Sequence, residues 1–268
     1  MGNATRARSA VGSRSTGPID TQSIRADAFY YTNSKSIEFE LGDEVVTTDA
    51  IQDWAGPTIT NQMTISQWSK NTLTGRSFDM IYGNHSTSGL TNGFGAYWTS
   101  QSLTAHWGAY NGSSKVIWVA PSDAYVKAWH HYVFVYDGDL STERVKLYVD
   151  GVMEVSATGS DIALTAANQS LKIGSGDHDA AYDMQGNVDE FAMWNIPLTQ
   201  EDITSLYADG DAGVAPASNI EGANLMIYYR LGDDPDTTGT DGIQDRSGND
   251  NHATMTGGTI VDDPAVVV

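Results

Sequence analysis

The chain has 268 residues, no cysteine, and a formal charge of −20 from 34 acidic and 14 basic side chains. Without cysteine there is no disulfide scaffold, no thiol nucleophile and no Cys-ligated zinc or iron–sulfur site. So acidic a surface argues against nucleic acid as a partner, and no stretch approaches the roughly 18 apolar residues of a membrane-spanning helix, so no membrane insertion is expected.

Residues 1–35 read as an extended arm. Positions 1–19 carry Arg6, Arg8 and Arg14 and no Asp or Glu, with no apolar run that would make a secretory signal or a core of its own. An arm of this kind gains order only from another chain, so Arg6, Arg8 and Arg14 are the candidate partner-binding residues.

Short alternating runs begin at Ser36. In SIEFEL, Ile37, Phe39 and Leu41 fall on one face and Glu38 and Glu40 on the other, as in a half-buried strand. QMTISQWSK sets Met63, Ile65 and Gln67 against Thr64, Ser66 and Trp68. SFDMIYG, GFGAYWTS and LTAHWGAY are three further strands. WHHYVFVYDGD is apolar or aromatic on both faces and reads as a central strand. VKLYVDGVMEVS is a hairpin turning at Asp150-Gly151, a pair that tolerates the positive φ values of a type I′ turn. QSLKIGS and GNVDEFAMW follow.

One helix is expected in PLTQEDITSLYADG. Thr199 suits its N-cap, Glu201 and Asp202 its positive first turn, Gly210 its C′ position, and Ile203, Leu206 and Tyr207 form one apolar stripe. Residues 211–224 read as a linker. LMIYYRL is a last strand, and a polar loop rich in Asp, Gly and Asn leads to the C-terminus. Many short strands punctuated by turns predict an all-β protein, an antiparallel sandwich. The expected division is an arm (1–35), a sandwich with one short surface helix (36–212) and a C-terminal extension (213–268).

Trp129-His130-His131, the Tyr136-Asp137-Gly138 turn, the Tyr148–Gly151 hairpin and the Asp189-Glu190 strand leading into the Leu198–Tyr207 helix resemble, in this order, the laminin-G-like, concanavalin A-like lectin/glucanase jelly roll. The likeness runs from about Ser36 to Gly210. The tail, LMIYYRLGDD…IQDRSGNDNHATMTGG, is similar to the segment that in such domains usually precedes the first strand; here it follows the helix. Domains with this tail order resemble those of tailed-phage virion proteins, marine ones above all. The resemblance implies a jelly roll, a calcium ion near Asp189 and a structural place for His130 and His131. It also implies a virion location, as a capsid-decoration or head-fibre subunit bound to a capsid protein or to copies of itself as a homo-oligomer. A secreted or cell-surface carbohydrate-binding module is the alternative, with an extracellular location.

The candidate chemistry is sparse. Asp189 alternates with Phe191 and Met193 and is expected to face the core with them. A carboxylate there needs a partner or a metal, and Asp183, with Asp177, Asp179 and Asn187, offers oxygen ligands of the type calcium takes. Asp245, Asn249 and Asp250 in the tail loop are a second, weaker grouping. Trp98, His106, Trp107 and Tyr110 are the candidate sugar-binding set, since aromatic faces stack on the apolar face of a pyranose. The pair of carboxylates that a glycosidase needs has only Glu38 and Glu40 on the first strand to offer, and they read as a solvated face, so no enzyme is expected.

Overall fold

The structure, a computed structural model, describes residues 33–72, 78–84, 93–99, 103–109, 114–159, 164, 169–176, 182–208, 217, 220–233, 242–263 and 265. Arg6, Arg8, Arg14, Tyr110, Asp177, Asp179 and Gly210 lie outside them. The described residues belong to one compact unit, Tyr31–Val268.

Two antiparallel sheets of eight strands face one another. The first contains β1 (Ser36–Phe39), β3 (Gln62–Asn71), β8 (His130–Asp137), β9 (Val145–Val149), β10 (Val152–Ala157), β12 (Gly186–Trp194), β13 (Leu225–Tyr229) and β16 (Thr259–Val261). Their order is β10-β9-β8-β3-β12-β1-β16, with β13 also on β12. The second contains β2 (Glu44–Ala50), β4 (Asp79–Gly83), β5 (Phe94–Thr99), β6 (Thr104–Ala109), β7 (Ser114–Val119), β11 (Ser170–Ile173), β14 (Gly242–Ile243) and β15 (Ala253–Thr256), ordered β14-β15-β2-β11-β4-β5-β6-β7. This is the antiparallel sandwich that the alternation predicts and the jelly roll that the resemblance implies. β7 and the three short tail strands are absent from the sequence reading, and Leu41, expected on the core face, lies past the end of β1 and is 51% exposed.

The two inner faces fill one core. Ile37, Phe39, Met63, Ile65, Tyr132, Phe134, Tyr136, Val188, Phe191 and Met193 from the first sheet meet Val45, Ile81, Phe94, Trp98, Trp107, Val116, Leu171 and Ile173 from the second. The outer face of the first sheet is covered as well. Two α-helices are described, one more than the sequence reading expects: the single turn α1 (Asp123–Val126) and α2 (Gln200–Tyr207), which lays Ile203 and Leu206 on Val133, Val135, Tyr148, Ala192 and Trp194 of this face. Its start is a capping box: Thr199 Oγ1 accepts from the Asp202 N–H, and the Asp202 carboxylate accepts from the Thr199 N–H. The helix ends earlier than Gly210 would allow, with Ala208 in the left-handed region at φ 48°. Tyr207, its last residue, stacks at 5.9 Å on Trp68.

The C-terminal segment enters the same two sheets. β13 pairs with β12, β15 with β2 and β16 with β1. The loop before β15 is a staple rather than an open oxygen cluster. Asp245 accepts from the N–H groups of Tyr228, Ser247 and Asn251, while Asn249 and Asn251 donate to the Met226 carbonyl. The sequence motif therefore ties β13 to its own connection, wherever it falls along the chain.

Candidate functional site

The alternation in GAYW and TAHW decides which aromatics reach solvent. β5 and β6 run side by side with Trp98 opposite Ala105, Tyr97 opposite His106 and Ala96 opposite Trp107. Side chains of directly opposed residues share a face. Trp98 and Trp107 therefore point inward. They are 1% and 0% exposed and pack on Tyr132, with ring centroids 6.1 and 5.5 Å away. This corrects the expectation that they hold sugar: no face of either ring is open to a ligand.

Their neighbours take the outer face. Tyr97 and His106 stack with centroids 4.6 Å apart and planes 8° from parallel. Phe78, just before β4, meets Tyr97 edge to face at 5.3 Å and Tyr182 at 5.4 Å. Phe78 is 38% exposed, and Ile117, opposite His106 on β7, is 46% exposed. The result is a row, Tyr182–Phe78–Tyr97–His106–Ile117, across the outer side of the second sheet. Of the four expected aromatics His106 alone is placed here; Phe78, Tyr97 and Tyr182 were missed. Period-two alternation could have found Tyr97, because the smaller ring in each Tyr-Trp or His-Trp pair has the other face. Phe78 and Tyr182 belong to no strand and reach the row only through the fold.

Asp189 has a different setting from the expected one. β12 pairs with β3 through Asp189–Trp68 and then Ala192–Ser66, so one extra residue bulges out at Glu190, whose φ is 48°. The bulge reverses the parity. Val188, Phe191 and Met193 face the core, while Asp189 lies on the outer side beside Trp68. There its carboxylate accepts from Asn33 Nδ2 at 2.9 Å, the Glu190 N–H at 2.8 Å and the Ala265 N–H at 3.3 Å. Burial pushes this carboxyl well above the ordinary range and the neighbouring Glu190 adds to the shift, with Asn33 and Ala265 opposing it. N–H groups are thus aimed at both oxygens of Asp189. Asp183 sits apart, bridging to Met80 and accepting from the Gly42 N–H at 3.2 Å. Burial raises its pKa, Ser175 and Gly42 oppose this, and Glu44 adds to it. Among the described residues no three His, Asp or Glu side chains converge to hold a metal.

The two adjacent histidines are built into the frame. His130 stacks on Tyr125 at 3.6 Å and its Nδ1 lies 2.6 Å from Asp150. His131 Nε2 lies 2.8 Å from Ser66 Oγ, and its ring sits 5.1 Å from Trp68. Glu38 is exposed at the outer side of β1, beside Lys70 and Asn187, in a groove of about 420 Å³. No helix among the described residues is long and apolar enough to cross a membrane.

Among solved structures, one of a Bacteroides ovatus protein provisionally described as carbohydrate-binding superposes with a TM-score of 0.60 at 17% identity, covering 87% of this chain and 61% of that one. A heptameric SAP-like pentraxin of Limulus polyphemus matches at 18% identity over 65% of this chain and 82% of its own, with a TM-score of 0.48. Domain 4 of an extracellular arabinanase of Geobacillus stearothermophilus, solved with arabinotriose, matches at 20% identity over 57% and 69%, with a TM-score of 0.42. No curated protein matches. The family model for the laminin-G-like branch of the concanavalin A-like lectin/glucanases matches residues 42–204. With the greater part of its length under that match and a two-sheet jelly roll to carry it, the chain belongs to the concanavalin A-like lectin/glucanase superfamily.

Proposed function

We propose that this is a non-catalytic, lectin-like carbohydrate-binding domain whose glycan lies on the outer face of the second sheet. The observation that carries the reading is the solvent-facing aromatic row, with Phe78 held edge to face between Tyr97 and Tyr182. Aromatic rings fixed by their neighbours lose little entropy on binding and offer the apolar surface that a pyranose C–H face prefers. The carbohydrate-binding description of the Bacteroides protein of like fold supports the reading. A glycan array on the purified chain is the test. A defined set of glycans should bind, Phe78→Ala and Tyr97→Ala should each weaken binding about tenfold, a loss of about 1.4 kcal/mol, and no reducing sugar should be released. Unchanged binding in both variants overturns the placement, and hydrolysis lost in Glu38→Gln overturns the non-catalytic reading.

The virion reading is a proposal about where the domain works. It is supported by the sequence of residues 1–19, basic in an otherwise acidic chain, and by the order of the tail motif. On this reading the arm fastens the domain to a capsid protein and the sandwich displays its glycan face outward. We keep the calcium expectation at Asp183 rather than at Asp189, whose oxygens face N–H groups; Asp183 has Glu44 near it, and Glu44 is itself paired with Lys172 at 2.9 Å.

A further inference from the structure

We propose that the groove on the outer face of the first sheet is a second sugar site, which takes an uncharged sugar through its hydroxyl groups and lets one chain hold two glycans on opposite faces. The groove, about 420 Å³, lies within the usual range of small-ligand sites. One cross-strand row crosses it. Glu38 on β1 stands opposite Asn187 on β12, and Asn187 stands opposite Lys70 on β3. Side chains of directly opposed residues share a face, with Cβ atoms about 5 Å apart. Carboxylate, amide and ammonium therefore line up across three strands. The adjoining residues Ile37 and Val188 face the core, which puts this row on the outer side. Asp263, and Lys127 just past α1, line the same groove.

Charge and hydrogen bonding select the ligand. Both ammonium groups already have a carboxylate: Lys70 pairs with Asp263, and Lys127 with Asp123 at 2.7 Å. Lys70 also sits 5.3 Å from the ring centre of Trp129, whose Nε1–H donates to Asp263 at 3.2 Å. Lys70 and Asp263 are held in place by these contacts. With Glu38 and Asp263 against Lys70 and Lys127, the groove is locally neutral in a chain of charge −20. An anion meets Glu38 and two cations already matched, a cation meets Lys70 and Lys127, and an apolar ligand finds one aliphatic side chain, Val261. The groove lies on a sheet face, where backbone amides are spent within the ladder, so no peptide strand adds there. The chemistry that remains is a neutral ligand rich in hydroxyls. Glu38 is exposed and accepts from two adjacent sugar hydroxyls. Asn187, 4% exposed on the groove floor, and Lys70 donate to their neighbours. Hydrogen bonds to charged groups are about twice as strong as neutral ones. Hydrolysis does not follow from this placement, because it needs a pair of carboxylates and Asp263 is held by Lys70 and Trp129.

NMR titration of the full chain with the tetraoses of β-linked glucose, xylose, mannose and galactose tests this, with calorimetry counting the sites. The first of the two sites rests on the proposed function; the groove stands apart from it, and the variants separate the two. The parent is expected to take up two molecules of a binding tetraose per chain and to shift the Trp129 indole N–H, which reports on Asp263 and which Trp129→Phe assigns. Glu38→Ala should weaken the groove about tenfold, as expected for lost hydrogen bonds to a charged group, and leave the melting temperature close to the parent's. Phe78→Ala combined with Tyr97→Ala should leave the Trp129 shift intact. A Trp129 signal that no tetraose moves, or a Glu38→Ala chain that binds like the parent, overturns the groove. One site per chain, with the Trp129 shift kept in the aromatic variant, upholds the groove and overturns the aromatic face instead. Should Glu38→Ala fail to fold, Lys127→Ala, outside every strand, is expected to weaken the Trp129 response, and an unchanged response overturns the proposal.

Discussion

His131 shows how a single buried side chain links this fold to pH. It lies opposite Trp68 on the neighbouring strand, stacked on it, and desolvation pushes its pKa down to about 3, with the Asp150 carboxylate opposing. In the unfolded chain the same imidazole takes up a proton near 6.5. Between these values the unfolded state binds more protons than the folded state, so stability falls as pH drops, by about 1.4 kcal/mol per pH unit at the steepest. Thermal melts should show the decline already between about pH 6.5 and about 5, above the range where most carboxylates titrate. In His131→Gln, which keeps a hydrogen-bonding partner for Ser66, the slope in that window should flatten. A parallel slope in parent and variant assigns it elsewhere. Asp183 gives a second test at this scale. Calcium at its rim predicts a melting temperature lowered by chelator in the parent and unmoved by chelator in Asp183→Asn, since an ion bound to the folded state stabilises it by mass action. Asp189→Asn should keep the response to chelator, because that carboxylate is occupied by N–H groups.

At the scale of elements, β12 organises the molecule. It is buried along its whole length and pairs with β3, β1 and β13. Its bulge turns Asp189 away from the core, and its first residue, Gly186, is crossed closely by β3. A Cβ at Gly186 would come within 2.2 Å of the Lys70 carbonyl oxygen, at a φ of 148° that side-chain-bearing residues rarely adopt. Gly186→Ala should therefore destabilise by about 1–3 kcal/mol through overpacking, measured by denaturant melts, and a neutral result would mean that the two strands separate there at little cost. The β9–β10 hairpin needs no such tertiary argument. Asp150 and Gly151 have φ values of 49° and 77°, both positive as the type I′ turn requires, and the Asp150 carboxylate reaches the His131 N–H, His130 and Tyr125.

The whole molecule brings its described chain ends together. Asn33 and Ala265 both hydrogen-bond to Asp189, and Lys35 pairs with Asp262. The tail motif, read in sequence as displaced, therefore supplies strands beside β1 and β12 where an N-terminal segment would equally reach. Removing the arm should spare this closure, because Asn33 remains. Deletion of residues 1–25 is expected to leave a folded sandwich melting within a few degrees of the full chain, while attachment to the proposed capsid partner is lost. A deletion that unfolds the protein places the arm in the sandwich, and one that still decorates particles removes the arm as anchor.

How far the residues alone carry can be argued from particular cases. The alternation of QMTISQWSK, the Asp150-Gly151 turn and the Thr199–Asp202 cap specify local structure because each depends on neighbours within one strand, turn or helical turn. They were legible for that reason, and so was the family resemblance. Strand β7 was not, since SKVIWV is apolar on both faces with no alternation to mark it. Asp189 was misplaced because a bulge shifts every later residue by one face, and nothing in GNVDEFAMW marks where the extra residue sits. Trp98 and Trp107 were chosen as aromatic faces able to stack on a sugar, whereas sheet pairing decides exposure and gives the surface to Tyr97 and His106. Phe78 and Tyr182 are about a hundred positions apart, and only long-range packing sets them edge to face. The sequence by itself determined the periodicities, turns and caps, and through them an all-β sandwich. The tertiary structure decided which side of each strand meets solvent, because that choice depends on partners distant in the chain, and with it the location of the candidate site.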